Sequence, residues 1–351
     1  MRLFFVGSIV LGAFAILSCQ FVSSGLDSTE KSLWVTDLRN THQNWGNSHG
    51  PALFQATRQI AFGSNAELVV AKDSGPFAKP NAVIGFVLDA KTGSVLREAH
   101  WTSGSRPFLF ATSAGKYAVV TEAGMALYSQ GLQNIVATGT HVADKVSPDG
   151  RFLSATETSP GHGVTIFIDA DTLKPNGTEF RDVYVWSVAD NRIAHSALRN
   201  SKGIVLIEDI SKQMPEFETD CQNIDVRPNF ITSDLLAVLG CRRLDVVSLR
   251  SGKVFSSTLE GEQAFFVAAS RDGSRFAIMQ IFALPGDPPS VSKERITVFD
   301  VAQRKAVFLT DISELRGSTL GESSGVALSP DGSRLAINSV GVVRLFALRD
   351  Q

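Results

Sequence analysis

Residues that carry metal, redox and nucleophilic chemistry are scarce in this chain. Three cysteines and six histidines are spread over 351 residues. No C-x-x-C pair occurs, so a structural zinc site has too few ligands at usable spacing. An excess of either charge is also missing, with 33 Lys and Arg against 35 Asp and Glu. The basic residues form no run, and a nucleic-acid surface needs a basic stripe, so no nucleic-acid partner is expected. No Gly-rich phosphate loop opens a helix, and no C-x-x-C-H haem site is present, so no cofactor is expected. Past the N-terminal segment, no stretch keeps a 3.6-residue apolar period over three turns. Helix content should therefore be low.

What is present points to a folded, exported protein. Apolar residues make up 44% of the chain and charged ones 19%, ordinary values for a sequence that buries a core. The N-terminus, MRLFFVGSIVLGAFAILSC, has one Arg and then no charge from Leu3 to Leu17. That is the pattern of a secretory signal, too short to span a bilayer comfortably. Residues 1–24 are assigned to it. Two readings of its end stand side by side. ILSC (16–19) reads as a lipobox with Cys19 lipidated, and FVSS (21–24) reads as a site for plain cleavage after Ser24. Both place the mature chain outside the cytoplasm, whether periplasmic, anchored to the outer membrane or secreted. Membrane contact is expected only through a lipid on Cys19. In an oxidising compartment Cys221 and Cys241 are expected to form a disulfide, which would contribute roughly 3 kcal/mol by the chain-entropy argument.

A repeat organises the remainder. SPDGRFLSA (147–155), SRDGSRFAI (270–278) and SPDGSRLAI (329–337) are near-copies flanked by short apolar runs. Ser then Pro suits the first two positions of a type I turn, and Gly takes the left-handed position that follows. Degenerate versions complete a series of turn markers at Asn65, Ala114, Asp149, Asp190, Ser233, Asp272 and Asp331. A period of about 40 residues with four short strands per unit is the signature of a propeller blade. Third strands such as VTIFIDADT and RLDVVSLRSG end on turns, and fourth strands such as KVFSSTL follow.

These units resemble the YVTN and WD40-like propeller repeats of bacterial exported proteins over about residues 32–351. The likeness is strongest at 147–155, 270–278 and 329–337, and weak in the second and fourth blades. No Gly-His opens a blade and no Trp-Asp closes a third strand, so no catalytic residue transfers with it. The expected fold is all-β, a seven-bladed β-propeller of four-stranded antiparallel blades. The blades are expected at about 57–104, 105–140, 141–181, 182–223, 224–263, 264–316 and 317–351. The last unit lacks a fourth strand, and SLWVTDL (32–38) is a strand without a partner. Pairing the two would close the ring and remove two exposed edges.

Loop lengths give the one functional hint. The SPDG turns are tight and mark one face. Longer connections at 39–56, 72–81, 155–163 and 279–294 mark the other, and binding residues favour long loops on a rigid scaffold. The candidates there are His42, Trp45 and His49, then Lys72, Asp73, Phe77 and Lys79. Glu157 and His162 follow, and Phe282, Asp287, Lys293 and Glu294 complete the set. Aromatics among mixed charges suit a protein or peptide partner. The leading expectation is a non-catalytic scaffold that binds a protein, peptide or envelope ligand through this face. The alternative is a hydrolase resembling propeller lactonases, with ionisable groups converging on the axial mouth. His42 and His49 have no local carboxylate, and no metal site is expected.

Overall fold

In the computed structural model, residues 31–38, 59–73, 81–103, 108–159, 162–211, 214–222, 225–261, 263–285, 290–313, 324–339 and 341–348 are described. They form seven four-stranded antiparallel sheets, each a simple meander apart from the last. The inner strands, in ring order from blade one to blade seven, are Ile60–Ser64, Phe108–Ala111, Ala143–Val146, Ser187–Ala189, Arg227–Thr232, Gln263–Ala269 and Gly325–Leu328. Each of the seven sequence markers lies at a turn between first and second strands. The protein is a seven-bladed β-propeller, as the repeat indicates.

Ring closure follows the expected pairing. Trp34–Asp37 lies antiparallel to Val342–Ala347, with Trp34 opposite Leu345. The closing strand also grips blade one. Trp34 Nε1 donates to Ala90 O at 3.2 Å, and Thr36 Oγ1 donates to Gly93 O at 2.7 Å. A four-residue strand would be marginal alone, and here it is held from two sides.

The buried apolar residues explain why no blade stands by itself. They fall into seven clusters, and each cluster joins two neighbouring blades. One seals blade seven to blade one through Leu345, Val343, Leu68 and Phe86. Another packs Phe167 and Phe180 of blade three against Val188 and Ile193 of blade four. A sheet's apolar face is hidden only by the next sheet, which is why repetition must continue until it closes.

The turn motif works through side chains as well as backbone. Ser147 Oγ donates to Asp149 Oδ1 at 2.6 Å and accepts the amide of Phe152 at 2.9 Å. Ser270 and Ser329 repeat both bonds with Asp272 and Arg275, and with Asp331 and Arg334. Gly150, Gly273 and Gly332 take φ of 72°, 71° and 68°, where a side chain would be strained. Asp89, Asp169, Asp209 and Asp300, which end third strands, accept backbone amides of the following turn. Turn chemistry explains them, as their sequence positions suggest.

An arginine just after the turn performs a second task. Arg151 pairs with Asp190, and Arg192 Nη1 donates to Ser233 O at 2.8 Å. Arg275 Nη1 donates to Gly332 O at 3.0 Å, and Arg334 Nη1 to Asn65 O at 3.0 Å. Each reaches the corresponding turn of the next blade around the ring. In blade one Glu67 holds the equivalent place, accepting from the Tyr117 hydroxyl at 2.8 Å and the Gly131 amide at 2.9 Å. Burial first, then the Glu67 charge, pushes the Tyr117 hydroxyl well above its usual value. It therefore stays a proton donor.

Candidate functional site

The seven inner strands surround a central cavity of about 430 Å³, within the range of ligand sites. Its wall is mostly apolar, with Phe62, Leu109, Phe230, Phe266 and Leu328 contributed by five different blades. Ionisable groups sit at its two ends. Strand direction fixes which end is which, because every first strand runs toward the tight turns from the opposite face, here the hairpin face, where second and third strands are joined.

At the turn end, Arg271 of blade six spans the axis. Its Nη2 donates to Thr112 O at 2.8 Å and its Nη1 to Ser113 O at 3.3 Å, both in blade two. Blades six and two are not neighbours, so the side chain bridges this end of the channel. Burial lowers the Arg271 pKa, with Asp149 and Tyr117 only partly opposing.

At the other end, the inner strands start among aromatic and charged side chains. Tyr184 is 74% exposed and meets Trp186 edge-on, with ring centroids 5.2 Å apart. The Arg227 guanidinium lies 5.7 Å from the Trp186 ring centre and 4.7 Å from that of Phe265. Its Nε donates to Asp225 at 2.8 Å. Asp144 and Lys145 pair with each other on the same rim. Among the described residues of this rim, the ionisable groups lie in separate local pairs.

The residues singled out in the sequence are distributed differently from their expected loops. His42, Trp45, His49, Phe77, Lys79 and Asp287 lie outside the described residues, as does Cys19. Lys72 and Asp73 are the last residues of blade one's second strand, opposite Ile84 and Val83. The stretches 155–163 and 279–294 are largely strand. Phe152–Ser159 pairs with His162–Asp169 up to Ser159 opposite His162. Arg275–Leu284 pairs with Ser290–Asp300. Backbone pairing carries both hairpins past the length of an ordinary blade strand, in blade six through a register shift at Phe282 and Ala283. Glu157 is exposed on its strand, and its carboxylate accepts from His141 Nδ1 at 2.8 Å.

Blade six brings several candidates together. Phe282 and Lys293 are direct partners across the hairpin, with the ammonium 4.7 Å from the ring centre. Arg295 covers the same ring at 5.1 Å. Asp311 accepts from Lys293 and Arg295, both at 2.7 Å. Burial alone would raise the Asp311 pKa, but these two cations hold it below the usual carboxylate value. Glu294 corrects its expected role as a surface ligand. It is fully buried and accepts the Ser324 amide on both oxygens, at 3.2 and 3.1 Å, which ties blade six to the start of blade seven.

Cys221 and Cys241 form the expected disulfide, with Cα atoms 5.5 Å apart. Cys221 lies ahead of blade five's inner strand, and its carbonyl accepts the Gly203 amide of blade four at 2.8 Å. Cys241 sits with Arg242 in a two-residue hairpin turn at φ of 50° and 57°. The bridge therefore staples blade four to blade five on the hairpin face. Arg243 follows the same junction, bonding Asp220 at 2.7 Å and Asp245 at 2.9 Å.

The mouth residues were missed because their meaning depends on ring geometry. Two signals do exist in the sequence. Tyr184 and Trp186 alternate in VYVWSV just before an inner strand, and Arg271 stands where the other near-copies carry Pro. Two stretches, GNSHG (46–50) and GESSG (321–325), have the spacing of a nucleophile elbow. The first lies outside the described residues. Residues 321–323 of the second also lie outside the described residues, and its last residue, Gly325, opens an inner strand. Among the described residues, no group of three or more His, Cys, Asp or Glu side chains gathers to hold a metal.

No protein-family model matches the chain, and no curated protein matches it in sequence. Among solved structures, a chain in the crystal structure of the mitotic checkpoint complex is similar, with a TM-score of 0.53 and 16% identity. The match covers 95% of this chain and all of that one. At that identity the likeness concerns the fold alone.

Proposed function

We propose that this protein is an exported, non-catalytic propeller that binds a protein or peptide partner at the hairpin-face mouth of its channel. The observation that carries the reading is the rim cluster of Tyr184, Trp186 and Arg227, because these residue types dominate the energetics of protein interfaces. Tyr184 is 74% exposed and stands edge-on to Trp186, so the aromatic pair is open to an incoming partner. The similar fold within a crystallised complex is consistent with this use. The Cys221–Cys241 bridge fits an oxidising compartment, and with the N-terminal signal pattern it supports export. Lipidation at Cys19 and cleavage after Ser24 give different mature N-termini, which mass spectrometry of the purified protein distinguishes.

A photo-crosslinking residue at position 184, compared with one at Lys91 on the turn face, tests the mouth directly in the native host. A defined partner crosslinked from position 184 and not from position 91 is the expected result. Tyr184→Ala should reduce that partner's affinity at least tenfold with the melting temperature unchanged. Equal crosslinking from both faces, or undiminished affinity of the variant, would refute the proposal.

A further inference from the structure

The far end of the channel narrows the choice of what enters it. Arg271 lines the cavity, and among the described residues its acceptors are the carbonyls of Thr112 and Ser113. A guanidinium has five donors, so at least three are left for something else. Among the described residues no carboxylate lies within ion-pair distance of it. Asp149, the nearest acidic influence on it, is occupied by Ser147 and Arg151. A half-buried cation that lacks an anion is costly, and an incoming carboxylate would offset that cost.

Length and width constrain the occupant further. From Asp144 at the rim to Pro148 at the turn end is four steps along the chain, the first three residues in the strand Ala143–Val146 and the last two in the tight turn. The channel is therefore at most about 13 Å deep at roughly 3.3 Å per residue. An extended peptide of about four residues spans the same distance. A cavity of about 430 Å³ takes one pass of chain, so a chain end enters and not a loop. The walls favour apolar side chains. An N-terminal ammonium would meet Arg271 as a like charge, and a C-terminal carboxylate would meet it as a counter-ion.

We infer that the partner inserts its C-terminus, an apolar tail of about four residues whose terminal carboxylate pairs with Arg271 across the axis. This rests on the mouth being the partner site. Binding would add a bidentate, charge-assisted contact at the bottom of the channel, and the rim aromatics would hold the tail where it enters.

The test uses the mature protein and an N-acetylated Ala-Leu-Val-Phe peptide, as the free acid and as the amide, followed by calorimetry and tryptophan fluorescence. The acid should bind about tenfold or more tightly than the amide, a difference of about 1.4 kcal/mol. Arg271→Gln should erase the distinction, and Arg271→Lys should keep part of it. If the Gln variant does not fold, the Lys variant and a salt series on the wild type replace it, the acid's advantage shrinking as salt rises. Equal binding of acid and amide to the wild type, or no saturable binding of either, overturns the inference. So does octanoate binding as tightly as the peptide acid with the same dependence on Arg271, which would make this a site for free carboxylic acids. Tyr184→Ala separates the two proposals. If it abolishes partner binding while acid and amide remain equal, the mouth stands and the tail fails. If it leaves the partner bound, the mouth fails, and the tail inference falls with it even where the acid keeps its advantage.

Discussion

The two faces of the ring are built by opposite rules. On the turn face, one short motif recurs, and each copy satisfies its own backbone and then reaches the next blade. Ser, Asp and Gly close the turn, and Arg151, Arg192, Arg275 or Arg334 bonds the neighbouring turn. Among the described residues of the hairpin face, no such motif recurs. Blade six carries a cation–aromatic ladder around Phe282, and blades four and five share a disulfide. The inner strands of blades four, five and six supply Trp186, Arg227 and Phe265 to one rim. Repetition suits a surface whose work is the same at every junction. A binding surface needs different groups at different points, and departures from the repeat supply them.

The sharpest way to break this contrast is a side chain at a turn glycine. Gly150 combines φ of 72° with backbone of blade two close by, because a Cβ there would lie 2.8 Å from Ser113 N and 2.9 Å from Thr112 C. Gly150→Val should cost about 4 kcal/mol, from backbone strain and from a clash that backbone cannot relieve. Thermal unfolding should show a large drop or failure to fold. A similar change at Gly177, where φ is 87° with nothing within 4 Å, should cost only the strain, and equal losses at the two sites would refute the role of the inter-blade contact.

Next in size is the bridge on the hairpin face. Replacing Cys221 and Cys241 by Ser should lower stability by about 3 kcal/mol, read as a shift in the denaturant midpoint that dithiothreitol reproduces in the wild type. Because the bridge spans two blades, amide exchange should rise around 217–221 and 240–243 first, and uniform exchange around the ring would contradict that placement.

The smallest effects concern charge, and there the faces differ in kind. Asp209 on the turn face is only 7% exposed. Burial raises its pKa, but the Ser211 hydroxyl, the Arg192 guanidinium and the Ser211 amide outweigh this and hold it at about 2. Its ionised form therefore contributes stability that is complete above its ordinary value of 3.8 and is lost as pH falls through about 2. Asp209→Asn should flatten the stability profile across that window. On the hairpin face, Glu216 and Arg199 form a bidentate pair at 2.7 and 3.3 Å with both side chains about half exposed. Glu216→Gln should leave the unfolding midpoint unchanged at physiological salt. A visible acid-limb change from Glu216 and none from Asp209 would reverse the comparison.

Much of the turn face can be read along the sequence because its interactions are local. Ser329, Asp331 and Gly332 bond within a few residues of each other, so spacing alone exposes the turn. Arg334 sits two residues further on, but its acceptor at Asn65 is 269 positions away, and no local pattern marks that bond. The hairpin face is harder still. The stretch 279–294 reads as a long loop because Pro285, Gly286, Pro288 and Pro289 cluster in its middle. Tertiary packing overrides this, burying Glu294 against the Ser324 amide and stacking Lys293 on Phe282.

The sequence by itself determined the architecture: a repeat of about 40 residues, tight turns with one permitted backbone path, a last unit short of one strand, and a lone strand at 32–38 that pairs with it. It also determined the pair of cysteines that could join. Only the tertiary structure decided that Arg271 crosses the axis, that Tyr184, Trp186, Arg227 and Phe265 share one rim, and that Glu294 turns inward. The physical reason is that a closed ring places first strands from distant parts of the chain around one cavity. What such a cavity contains is set by neighbours in space, and a linear repeat specifies neighbours only one blade away.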